Sequence, residues 1–130
     1  MAELSKKIGE MAYDGLVTDV APQVIVAGGT ITKGAAEATY VRGTLFAKSS
    51  STGKLVIFGT TAGQGETLTA DCILCDDIKV GTAADATAAV YIGGCFDPNK
   101  LTLKAGATLS EAAKDALREK GIILKAASAN

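Results

Sequence analysis

The chain has 130 residues, with 13 basic and 14 acidic side chains for a formal net charge of −1, and it contains no His and no Trp. This length holds one compact domain. The balanced charge lacks the basic footprint of a nucleic-acid binder, and the missing imidazole removes the commonest general base and metal ligand. A composition of 48% hydrophobic but only 5% aromatic residues, with 15 Gly, suits short strands and turns better than a helical bundle.

The longest nearly uncharged stretch, residues 20–32, is too short and too Gly-rich to span a bilayer. No apolar core follows Lys6-Lys7, so the N-terminus does not read as a signal peptide. Three cysteines form no closed disulfide framework and point to a reducing compartment. The expected product is soluble and intracellular.

Along the chain, Leu4, Ile8 and Met11 fall at helical spacing and predict a short, weakly amphipathic helix over residues 2–12. Pro22 blocks helix and demotes any strand there to an edge. The run Val24-Ile25-Val26 is apolar, Gly28-Gly29 follows, and residues 30–37 alternate only loosely. With few large side chains to anchor it, the segment 1–38 reads as an extended arm, and 39–130 as the folded body.

The body opens with Tyr40-Val41-Arg42-Gly43-Thr44-Leu45-Phe46-Ala47-Lys48, whose β-branched and aromatic content predicts a strand. Ser49-Ser50-Ser51-Thr52-Gly53 predicts a turn, and residues 54–58 the returning strand. A polar loop over 59–66 leads to a short buried strand over 71–75, ended by Asp76-Asp77. The clearest core strand covers residues 88–96, before a turn with Pro98 at its second position. Thr108 and Glu111 have capping-box spacing ahead of a helix with Leu109, Ala113, Ala116 and Leu117 on one stripe. Gly121 stops that helix and residues 122–125 form a last strand. The fold class is α+β, mostly β.

Candidate chemistry is sparse. Cys72 and Cys75 have dithiol spacing, but residues three apart on a strand point to opposite faces, and with Cys95 the chain offers three thiolates and no His for a zinc site. Burial as small core side chains is the expectation. The glycine-rich loop 59–66 lacks the Lys-Ser/Thr ending of a phosphate cradle. Asp71, Asp76, Asp77 and Asp85 lack an EF-hand pattern, and Ser49-Ser50-Ser51 has no activating base nearby. No catalytic, metal or cofactor-binding residue is expected.

Several blocks, taken in order, resemble the phage head decoration proteins of the lambda protein D type. They are Arg42-Gly43-Thr44-Leu45-Phe46-Ala47-Lys48, then Cys72-Ile73-Leu74-Cys75-Asp76-Asp77, then Ala89-Val90-Tyr91-Ile92-Gly93-Gly94-Cys95-Phe96-Asp97-Pro98, and finally Leu117-Arg118-Glu119-Lys120-Gly121-Ile122-Ile123-Leu124-Lys125. The resemblance implies a barrel-like, β-tulip-type body with one short helix near the C-terminus and no enzymatic activity. It also implies homotrimers on the threefold and quasi-threefold positions of an expanded head, on the virion exterior, after synthesis in the bacterial cytoplasm. The implied partners are the major capsid protein and further copies of the chain, with no nucleic acid, membrane or cofactor. On this reading the arm completes a strand edge on the capsid through Pro22, Val24, Ile25, Val26, Thr30 and Ile31. The alternatives are a small β-barrel ligand-binding or interaction module, and a redox protein using Cys72 and Cys75.

Overall fold

The computed structural model describes residues 16–19 and 23–125. The helix expected over residues 2–12 lies outside them. Nine strands and one α-helix follow in chain order among the described residues: β1 (Val17–Asp19), β2 (Ile25–Ile31), β3 (Ala38–Tyr40), β4 (Leu45–Ser49), β5 (Leu55–Ile57), β6 (Leu68–Leu74), β7 (Ile78–Val80), β8 (Ala86–Phe96), α1 (Glu111–Glu119) and β9 (Ile122–Leu124). Strands β8, β2, β5, β4 and β6 close into a five-stranded barrel, because β6 pairs back onto β8. The expected mostly-β fold with one short C-terminal helix is what the chain adopts.

Closure works because three apolar pairs bury both of their side chains. Successive residues on a strand point to opposite faces. Phe46, Leu74 and Val90 therefore join Ile31, Leu55 and Cys72 in one cluster, to which every barrel strand contributes. Their neighbours Leu45, Ile73 and Tyr91 turn outward and meet Leu16, Phe96, Leu117 and Ile122 beneath the helix. The small β3–β7 sheet packs Tyr40, Ile78 and Val80 against the barrel interior, with Tyr40 edge-on to Phe46 at 5.4 Å between ring centroids.

The arm boundary needs correction. Residues 25–31 form seven consecutive antiparallel pairs with β8, from Ile25 opposite Gly93 to Ile31 opposite Ala86. Ile31 is fully buried inside the barrel. The segment needs few large side chains because its partner strand supplies the pairing and the core. Gly29 is part of the fit: a Cβ there would lie 2.7 Å from the Leu55 side chain.

Three smaller differences have local causes. The predicted strand over 40–48 is broken at Gly43, whose φ of +94° suits glycine. The helix is capped by Ser110, whose hydroxyl accepts from the Ala113 amide at 3.2 Å, so Thr108 is not the cap. Glu111 is the first helical residue, two positions too early for a capping box. The short strand β7 carries no pattern of its own and exists through its pairing with β3.

Deleting residues 1–38 removes a barrel strand and the buried Ile31, and is expected to abolish the cooperative thermal transition seen for the full chain by circular dichroism. A truncated protein that melts cooperatively near the full-length temperature would restore the arm boundary at residue 38.

Candidate functional site

The groups that resemble catalytic or metal chemistry in the sequence are occupied by structural work. Cys72 on β6 faces the barrel interior, and Cys75, just past the strand's end, joins the outer cluster. Both are buried and in no disulfide, as is Cys95. Burial pushes the Cys72 thiol far up, and pushes that of Cys75 up to about 11. Neither is a thiolate at neutral pH, which is the form that redox chemistry needs.

Asp71, Asp77 and Asp85 have separate partners. Asp71 pairs with Lys120 at 2.9 Å. Asp77 accepts the Arg42 amide at 2.7 Å. Asp85 pairs with Lys54 at 2.6 Å and accepts the Lys33 amide at 2.8 Å, and the Lys54 contact foremost holds its carboxyl below the usual range. The glycine-rich loop is tied down as well. Glu66 accepts hydrogen bonds from the Ser49 hydroxyl and, at 3.0 Å, from the Gly63 amide. These contacts, Ser49 first, lower its pKa. Ser49 and Ser51 thus fasten two loops together.

What remains is surface. Among the described residues, Ile25, Val26, Val41 and Ile92 are the large apolar side chains left exposed, with Ile25 and Val26 each about half accessible at 50% and 53%. Three of them, Ile25, Val26 and Ile92, belong to the irregular end of the β2–β8 ladder. The register shifts between Ile25, opposite Gly93, and Val26, opposite Tyr91, so Ile92 is the extra residue of a bulge. Gly93 admits Ile25, whose side chain lies 3.1–3.4 Å from where a Cβ would stand.

A rigid node holds this corner from behind. The Arg42 guanidinium donates to the Tyr91 hydroxyl at 2.5 Å and to the Cys75 carbonyl at 3.1 Å, and lies 5.4 Å from the Tyr91 ring centroid. Tyr91 is fully buried. Burial raises its phenol pKa, against the pull of Arg42, so the hydroxyl remains protonated at neutral pH.

Of the residues expected to bind a capsid, Ile25 and Val26 are exposed on one corner, while Val24 is half-buried and packs against the outer cluster. Thr30 is half-buried on β2. Ile31 is a correction: it is a core side chain with no exposed surface. Pro22 lies outside the described residues. Ile92 was missed, although the Gly93-Gly94 pair beside it is a bulge signal.

The sequence matches the family model for the bacteriophage lambda head decoration protein D over residues 5–122, and the chain belongs to that family. No curated protein matches it. The family is structural, and its place is the phage capsid. Among the described residues no helix is long and apolar enough to cross a membrane.

With all three thiols buried, a disulfide-based thiol reagent at neutral pH is expected to label the folded protein at least ~100-fold more slowly than the protein in denaturant, because reactivity follows thiolate fraction and exposure. Rapid labelling of Cys72 or Cys75 in the folded state would revive the redox reading.

Proposed function

We propose that the protein cements an expanded phage head by binding as homotrimers to the major capsid protein at threefold and quasi-threefold positions on the virion exterior. The observation that carries this reading is the family match across residues 5–122. The exposed corner of Ile25, Val26 and Ile92 supports it, since an apolar cluster beside an open strand end gains free energy when a partner removes it from water.

The mechanism is linkage combined with multivalency. A protein that binds the expanded lattice better than the unexpanded one stabilises the expanded state. One such corner makes a modest contact. Three on one trimer raise avidity by roughly 10²–10⁴ without a new kind of interaction. Capsid contact at Val24, Ile25 and Val26, with Pro22 and the residues ahead of it extending that contact, remains part of the proposal. Thr30 belongs to the edge of the same strand, and Ile31 is withdrawn. The barrel resists force because its N-terminal strand is paired along its length with β8, so a pull on the corner is borne by a ladder of backbone hydrogen bonds.

The test is cosedimentation with expanded, empty heads of the corresponding phage, alongside light scattering for the trimer. Wild-type protein is expected to bind expanded heads and scatter as a trimer. Val26→Asp places a charge in the contact and is expected to weaken binding by about tenfold or more, with an unchanged melting temperature because Val26 is exposed. A monomeric protein that ignores expanded heads would overturn the reading. Full binding by Val26→Asp would move the contact elsewhere.

A further inference from the structure

Strand β2 holds its two neighbours in the barrel very unequally. It makes seven pairs with β8 but a single one with β5, Ile31 opposite Leu55, whereas every other junction of the barrel has at least two. One backbone hydrogen bond, from the Thr32 amide to the Leu55 carbonyl at 2.9 Å, supports that pair. At this seam lies a cavity of about 270 Å³ whose lining includes Gly28, Gly29 and Thr30 of β2, Leu55 of β5 and Cys72 of β6. The junction of β2 with β5 is where the barrel is held least by its own backbone.

Asp85 spans this seam. It precedes Ala86, the residue of β8 that lies opposite Ile31. Its Oδ1 accepts the Lys33 amide at 2.8 Å, two residues past Ile31. Its Oδ2 meets the Lys54 ammonium at 2.6 Å, one residue before Leu55. One carboxylate therefore has an oxygen on each flank of the weak junction, and it reaches both from the start of β8. Lys54 and Lys33 are the charged groups that act on it. A further backbone contact nearby, from the Gly34 amide to the Gly81 carbonyl at 3.3 Å, ties the chain after β2 to the approach to β8 and does not involve β5.

We propose that Asp85 is a strap that keeps the barrel shut between β2 and β5, and that its release lets this seam part while the ladders on either side stay intact. The strap acts in the free protein, apart from any capsid. Local opening follows the places with fewest interactions, and parting this seam breaks one strand pair and one backbone hydrogen bond. Strand β2 keeps its ladder with β8, and β5 keeps three pairs with β4, so the barrel becomes an open sheet. Cys72 lines the space that is uncovered. Cys75 lies in the outer cluster, and Cys95 is paired between β1 and β9, so neither borders the seam. Acid acts in the direction of release. The Lys54 contact first, then the Lys33 amide, hold the Asp85 carboxyl below its usual range. The strap is therefore complete above the ordinary carboxylate pKa and is lost as pH falls through the lower folded value.

The test is thiol labelling of the folded full chain, with each cysteine read by peptide mass spectrometry and normalised to the same protein in denaturant. Asp85→Ala, which removes both contacts, is expected to speed labelling of Cys72 by about tenfold or more while Cys75 and Cys95 keep their wild-type rates. Lys54→Gln, which leaves the Lys33 contact, is expected to speed Cys72 alone by a smaller factor, and it decides the matter if Asp85→Ala does not fold. With a dipyridyl disulfide, which reacts with thiols in acid, wild-type Cys72 is expected to gain reactivity as pH falls through the carboxylate range. Asp85→Asn, which mimics the protonated carboxyl, is expected to show most of that gain already at neutral pH and little further rise. The Asp71 carboxylate beside Cys72 is present in every variant, so its own titration cancels in the comparison. Equal Cys72 rates in wild type and both Asp85→Ala and Lys54→Gln would overturn the strap. Acceleration of all three cysteines together in both variants reports global unfolding and would overturn it too. An acid gain in Asp85→Asn as large as in wild type would assign the opening to another carboxylate and remove Asp85 from the role.

Discussion

Strand β8 is the constraint on which the molecule depends. Its eleven residues pair with β2 and β1 and also with β6 and β9, so it shares backbone hydrogen bonds with four strands. Its two faces serve both cores, Val90 inward and Tyr91 outward. Because buried backbone groups must be paired, β8 is stable only when its neighbours are in place, and they in turn are held by it. The bulge at Ile92 is the point where this strand passes from β2 to its later partners, and the exposed apolar corner stands there. Surface and core are thus two consequences of one strand.

That arrangement also explains which parts of the fold could be read from the residues. Residues 88–96 announce themselves as a core strand because their own side chains are buried, and the helix is visible through Ala113 and Leu117. Strand β2 was misread as an arm because its stability is borrowed. Ala27, Gly28 and Gly29 offer almost nothing to a local pattern, yet small residues are what the site requires, since Leu55 fills the space above Gly29. The alternation that places Ile31 in the core is recognisable only once β8 is known to lie alongside. In the same way, the apolar run Val24-Ile25-Val26 was legible as an anchor, whereas Ile92 was not, because only strand register brings it beside β2. Propensity sees neighbours in sequence; these neighbours are in space.

Moving the boundary changes the mechanical picture of the proposed function. An anchor on a loose arm transmits load through a flexible tether, and ordering it costs entropy at every binding event. An anchor on a barrel strand is already ordered, so less of the contact energy is spent on fixing the chain. The Arg42–Tyr91 contact and the full-length β2–β8 ladder keep the corner rigid, while the one-residue closure between β2 and β5 leaves an edge free. The buried thiols and individually paired aspartates are consistent with a chain whose polar groups serve structure.

Strand β2 belongs to the barrel through its ladder with β8. Amide hydrogen exchange on the free protein, resolved by residue across 25–31, measures this directly. The account predicts strong protection at the amides that face β8 and weak protection at those on the other edge, which pairs with β5 only at Ile31. Uniformly fast exchange across 25–31 would contradict the barrel assignment.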